Sequence, residues 1–230
     1  MFKEQLNLFG EDAEEKIIKE TEKLYQPEVN QKLTYLPQVK WEESYYDITD
    51  LAELEAQAQG CSLCRLRDTC KNVIFGEGKP DARLMLIGEG PGKDEDDIGR
   101  PFVGKAGQLL DKILLAAEIP RSEVYIANVI KCRPPSNRLP KPDEVKVCQN
   151  YLEAQIRLIK PDIIVCLGAL ASSVVIDKNA RITKIRGNWY KRHTIRIMPT
   201  FHPAALLRNE DYKRPVWEDF KIIRDEYKKL

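Results

Sequence analysis

No stretch of this 230-residue chain approaches the roughly 20 consecutive apolar residues of a membrane-spanning helix. Its start, Met1-Phe2-Lys3-Glu4-Gln5, lacks both the basic segment and the apolar stretch of an export signal, so an intracellular protein is expected. Also missing is any Gly-Lys-Ser or Gly-Lys-Thr to close a phosphate loop, which weakens a nucleotide-hydrolysing reading. What the chain does have is six cysteines, and without export these suit reduced thiols and metal ligation better than disulfides. Four of them, Cys61, Cys64, Cys132 and Cys148, follow C-x2-C, a long gap, then C-x15-C. Two thiolates two residues apart turn back onto one centre, and a distant pair completes four ligands. Cys166 lies in the apolar run Ile163 to Leu167 and reads as a core residue. Cys70, in the polar stretch Arg67 to Lys71, is left out of the metal set.

The formal net charge of +1 conceals two regions of opposite sign. Residues 1–60 hold 6 Lys and 14 Asp or Glu, a net −8, while the remaining 170 carry +9. A basic body attracts a polyanion, although a solvated basic surface has the same composition. Residues 1–50, with scattered charge, Pro27, Pro37 and isolated aromatics, read as an acidic, extended, partly disordered arm with one short helical candidate near 12–25. From Leu51 a helix leads towards Gly60. Four apolar runs, Leu84 to Ile87, Val124 to Val129, Ile163 to Leu167 and Ile195 to Thr200, then read as buried parallel strands. Helical segments at Gly104 to Glu118 and Pro142 to Ile159 alternate with them. The expected fold is α/β: a three-layer α/β/α domain over residues 51–230 with a central four-stranded parallel sheet, plus the arm. Ligands of such sheets bind beyond the carboxyl ends of the strands. Gly88-Glu89-Gly90-Pro91-Gly92, Asn128 and His202-Pro203 all fall there.

The combination of Gly-Glu-Gly-Pro-Gly-Lys-Asp-Glu-Asp (88–96), Gly99-Arg100-Pro101-Phe102-Val103-Gly104, Asn128-Val129-Ile130-Lys131-Cys132-Arg133-Pro134-Pro135 and His202-Pro203-Ala204-Ala205, with the cysteine spacing, resembles the family 4 uracil-DNA glycosylases, which carry an iron–sulfur cluster. The resemblance implies a monofunctional enzyme that hydrolyses the N-glycosidic bond of uracil flipped out of single- or double-stranded DNA, leaving an abasic site. It implies a [4Fe–4S] cluster on Cys61, Cys64, Cys132 and Cys148. Asn128 presents an acceptor and a donor side by side, matching N3–H and O4 of uracil and mismatching cytosine. Phe102 offers a stacking face. His202 donates to O2 of the departing base, assisted by backbone N–H groups at Glu89 and Gly90.

The water-activating carboxylate is assigned to Glu95, with Glu89 second. Family 1 relatives place an Asp at the position of Gly90 and a Tyr at that of Gly92, so this chain must obtain both functions elsewhere. Leu206 or Leu207 would wedge into the gap left by the flipped base, and Arg208 would hold phosphate. Lys131, Arg133, Arg138 and Lys141 suggest a phosphate-binding loop braced by the cluster. A related variant uses a histidine in a basic loop covalently, but no histidine occurs between Asn128 and His193, and His193 reads as a surface residue. In the arm, Gln5-Leu6-Asn7-Leu8-Phe9 resembles the peptide by which bacterial repair proteins dock on the sliding clamp, through Gln5, Leu6, Leu8 and Phe9. A cytoplasmic, nucleoid-associated monomer is expected. The competing reading is a non-catalytic nucleic-acid-binding protein stabilised by zinc or a cluster.

Overall fold

The structure is a computed structural model that describes residues 34–35 and 43–230. The clamp-like peptide, the helical candidate at 12–25 and most of the arm lie outside the described residues. Among the described residues seven strands form one mixed sheet: β1 (Thr34–Tyr35), β2 (Glu77–Gly78), β3 (Leu84–Gly88), β4 (Val124–Asn128), β5 (Ile163–Leu167), β6 (Tyr190–Arg192) and β7 (Ile195–Thr200), in the order β1-β6-β7-β5-β3-β4-β2. This is larger than the four-stranded parallel sheet expected from the sequence. The strands β7, β5, β3 and β4 pair in parallel, while β2 and β6 pair antiparallel with β4 and β7. The added strands are two or three residues long, too short to leave a period-two signal.

All five residues of β3, β4 and β5 are buried, which is why they read as continuous apolar runs and not as alternation. On one face Met85, Ile87, Ala127, Ile164 and Cys166 share a core with helices α2 (Leu51–Gln59), α5 (Pro142–Ile159) and α6 (Ala169–Val175), following a short α1 (Glu43–Tyr46). By the pleat, Leu84, Leu86, Ile163 and Val165 point to the opposite face. There the buried stripes of α4 (Lys105–Ala116) and α9 (Lys213–Tyr227) lie outside that first core, and α9 packs on β7. The remaining helices, α3 (Lys93–Ile98), α7 (Ile182–Ile185) and α8 (Pro203–Arg208), are single or double turns.

Local chemistry sets the ends of these helices. Asp50 caps α2 by accepting from Ala52 N at 2.6 Å and Glu53 N at 3.2 Å. Pro142 opens α5, Glu144 reaches back to Lys141 N at 2.7 Å, and Lys160 closes the helix in the left-handed conformation at φ 53. The chain steps from β3 to β4 on one side and returns to β5 on the other. The loops after β3 and β5 therefore diverge, leaving a crevice at the carboxyl end of the sheet.

Candidate active site and cysteine centre

Asn128 ends β4 directly beside Gly88, which ends β3. Both belong to parallel strands, so both point their following loops into the crevice. A Cβ on Gly88 would stand 2.4 Å from Asn128 Oδ1 and 2.6 Å from Phe102 Cζ. Only glycine lets the amide and the ring converge there. Asn128 is buried, and its Oδ1 has no hydrogen-bond partner. A buried carbonyl without a donor costs about 1–3 kcal/mol, so this atom is set to receive one from a ligand.

Phe102 is buried and adopts φ 53, a conformation uncommon outside glycine. Its backbone is held in place from two sides. Arg121 Nη2 donates to Pro101 O at 2.9 Å, and helix α4 approaches so closely that a Cβ at Gly107 would lie 1.9 Å from Phe102 O. The Phe102 ring centroid is 5.6 Å from that of His202.

His202 follows β7 and is the N-cap of α8, where its Nδ1 accepts from Ala204 N at 3.1 Å. That bond places the imidazole proton on Nε2, making the free edge a donor. Burial, reinforced by the Arg208 charge, pushes its pKa down to about 4, so the ring is neutral at physiological pH. Burial raises the Glu89 pKa and the Arg208 charge lowers it in part, so that charge acts on both groups. Backbone bonds from Val129 N to Gly88 O at 3.0 Å and Ile130 N to Glu89 O at 3.1 Å lock the glycine segment against the strand that carries Asn128. Gly90 fits because a Cβ there would lie 2.5 Å from Ile130 Cγ1.

Glu95 has a different environment from the one its assigned role requires. Its Oε1 accepts from Val103 N and Gly104 N, both at 3.0 Å, and its Oε2 from Gly92 N at 3.1 Å. The carboxylate is a brace between the start of α3 and the turn carrying Phe102, and it fills the space a side chain at Gly92 would need. Of the two leucines considered for DNA, Leu206 is buried at 2% exposure and Leu207 is 51% exposed. Leu206 is therefore a core residue, which removes it from the wedge role.

The four cysteines assigned to a metal line one cavity, together with Ala58, Arg67, Lys131 and Tyr151 among others, and no carboxylate lines it. Burial pushes the Cys148 thiol up to about 11 and raises Cys64 and Cys132. Ionising four thiols around one cavity needs a compensating cation, which is the service a metal centre provides. Lys131 N donates to Cys148 Sγ at 3.2 Å. Among the described residues no three His, Cys, Asp or Glu side chains converge closely enough to hold a single ion. The donor set is all sulfur and spread around a cavity, and it fits a sulfur-ligated cluster. Cys70 does not line the cavity but lies within hydrogen-bonding reach of Cys132, a proximity that its polar sequence context concealed. Cys166 is fully buried in β5.

Glu144 ties the three cysteine-bearing segments together. Arg138, in the loop after Cys132, donates to it twice, at 2.8 and 2.7 Å, and Arg65, next to Cys64, stands 3.6 Å away. These partners hold the Glu144 pKa down to about 2. Two cations expected to bind phosphate are thus otherwise engaged: Arg138 by Glu144, and Lys131 by its burial at 2% exposure. Arg133, half-buried, donates through Nε to Asn137 Oδ1 at 2.7 Å, and Lys141 is exposed.

The segment that carries this crevice, residues 75–221, matches the Uracil DNA glycosylase superfamily, and the chain belongs to that superfamily. Within it, the chain is 46% identical over 191 residues to the Type-4 uracil-DNA glycosylase of Thermotoga maritima, covering 80% of this chain and 98% of that protein. It is 42% identical over 184 residues to the Type-4 uracil-DNA glycosylase of Sulfurisphaera tokodaii, covering 76% and 84%. A Type-5 uracil-DNA glycosylase of Pyrobaculum aerophilum matches at 30% over 146 residues, covering 56% and 64%.

Proposed function

We propose that the protein is a uracil-DNA glycosylase that cleaves the N-glycosidic bond of a flipped uracil and leaves an abasic site. The observation that carries this reading is the unpartnered Oδ1 of buried Asn128, framed by Gly88 and by Phe102, whose ring lies 5.6 Å from that of a neutral histidine. Uracil supplies the missing donor at N3–H and takes the amide N–H at O4, whereas cytosine would set its N3 acceptor against Oδ1. Phe102 stacks on the base. As the bond breaks, electron density moves onto the base, and the Nε2–H of His202 stabilises it at O2 with the backbone N–H groups of Glu89 and Gly90. Water forms the new bond to C1′ and passes its proton to a carboxylate. We assign that role to Glu89, since both oxygens of Glu95 already accept from backbone. Among the described residues the lysine amine nearest the pocket, Lys131, is buried and engaged by Asn128 O and Gln155 Oε1, so the enzyme is read as monofunctional.

Leu207 and Arg208 engage the DNA from α8, with Arg133 on the neighbouring loop. Cys61, Cys64, Cys132 and Cys148 hold a [4Fe–4S] cluster, which when bound supplies cross-linking and charge balance and takes no part in bond cleavage. The reading extends to a monomer in the cytoplasm at the nucleoid, with Gln5, Leu6, Leu8 and Phe9 docking on the sliding clamp. Among the described residues no helix is long and apolar enough to cross a membrane. The test is incubation with an end-labelled oligonucleotide bearing one uracil, beside a thymine control, followed by alkali. Cleavage confined to the uracil strand is expected, and its absence with cluster-loaded protein would refute the function. Removal of residues 1–10 is expected to abolish clamp binding and spare excision.

A further inference from the structure

Lys131 is among the largest fully buried side chains of the molecule, and among the described residues no carboxylate forms an ion pair with it. Its ammonium has two specific acceptors instead: the main-chain carbonyl of Asn128 at 2.8 Å and Gln155 Oε1 at 2.5 Å. Gln155 is itself fully buried on α5, and its Nε2 is anchored to Phe75 O at 2.9 Å. At its other end Lys131 donates its backbone N–H to Cys148 Sγ, and its carbonyl accepts from Ile74 N at 2.7 Å. One residue therefore touches both the strand end that presents the Asn128 amide and a wall of the cysteine cavity.

We propose that Lys131 is a positioning residue that fixes the backbone of Asn128, and with it the base-reading amide, against the cysteine centre. This rests on the uracil reading of the pocket. An uncompensated buried ammonium is costly. Its two hydrogen bonds, to Asn128 O and Gln155 Oε1, offset that cost and hold the ammonium at the end of β4. Deleting the ammonium frees the Asn128 carbonyl and lets the amide wander from the geometry that two hydrogen bonds to one base edge demand. The centre then contributes to base recognition through a mechanical link and no redox step.

The test is calorimetric titration of free uracil, and separately of abasic-site duplex, into cluster-loaded wild type and Lys131→Met, with cluster content checked by visible absorption and iron content. We expect uracil affinity to fall about tenfold in the variant, the scale of one well-placed hydrogen bond, and duplex affinity to change by less than about twofold. A purely structural role would lower both together or neither. If Lys131→Met does not fold or load, Gln155→Leu carries the test, with an expected fall of about threefold in uracil affinity and none for the duplex. Unchanged uracil affinity in a loaded variant overturns the role of Lys131. Wild type that binds the abasic duplex but not uracil removes the reading of the pocket itself.

Discussion

The base pocket and the cysteine cavity lie on either side of the short segment from Asn128 to Cys132, yet they are held by opposite means. The pocket depends on missing matter: no side chain at Gly88 or Gly90, no partner for Asn128 Oδ1. The cavity depends on cross-links: four thiols from three segments, drawn together by the Arg65, Glu144 and Arg138 cluster. Recognition leaves one polar group unpaired and waiting, whereas stability pairs every group it can. Substitutions in the two regions should separate accordingly.

The largest effect is expected in the pocket. Asn128→Ala and His202→Ala should each lower the single-turnover excision rate by about 10²–10³, the cost of removing one donor aimed at developing charge. Melting temperature should scarcely change for Asn128→Ala, and His202→Ala should lower stability only by about 1 kcal/mol, the cost of losing a helix N-cap. Next comes the cavity: Cys132→Ala should lose the cluster and lower thermal stability by several kcal/mol, about the cost of removing a cross-link from a domain. If cysteine loss left stability intact, the two regions would not differ as described.

The two leucines of α8 sharpen the contrast within a single turn. Leu206→Ala should destabilise by about 2–4 kcal/mol because it empties a core position. Leu207→Ala should leave stability alone and weaken binding to uracil-containing duplex, measured by fluorescence anisotropy.

The smallest effect is one of pH. The folded pKa of His202 is depressed to about 4 from an unfolded value of about 6.5, so the unfolded chain binds the proton first. The stability this histidine contributes is present above about pH 6.5 and is lost as pH falls towards 4. Glu144, depressed to about 2 from about 4.3, gives up its contribution only below about pH 4.3. Acid titration should weaken the pocket side before the cavity side. His202→Asn should flatten the first limb alone, as followed by denaturant melts across pH.

The sequence made some of this legible and hid the rest for physical reasons. The strands β3, β4 and β5 were readable within a residue because burial on both faces leaves unbroken apolar runs, and β7 was readable although an exposed Arg196 interrupts its apolar residues. The grouping of Cys61, Cys64, Cys132 and Cys148 around one cavity was foreshadowed by their spacing, because spacing is a local property. Partnering is not local. Glu95 sits in an acidic cluster that looks solvated, yet three backbone N–H groups from 92, 103 and 104 converge on it only after folding. Lys131 and Arg138 look like surface cations until a buried glutamine and glutamate are placed opposite them. The adjacent leucines at 206 and 207 differ only in which side of a six-residue helix meets the core, too short a span for periodicity to decide.

Gly88 carries a practical consequence. One added carbon there would have to displace either the amide oxygen or the aromatic ring. Gly88→Ala should therefore yield a plugged protein: folded, cluster-loaded and able to grip DNA, but unable to admit a base. Such a protein would serve as a decoy, occupying the surface that the active enzyme patrols without leaving a mark on it.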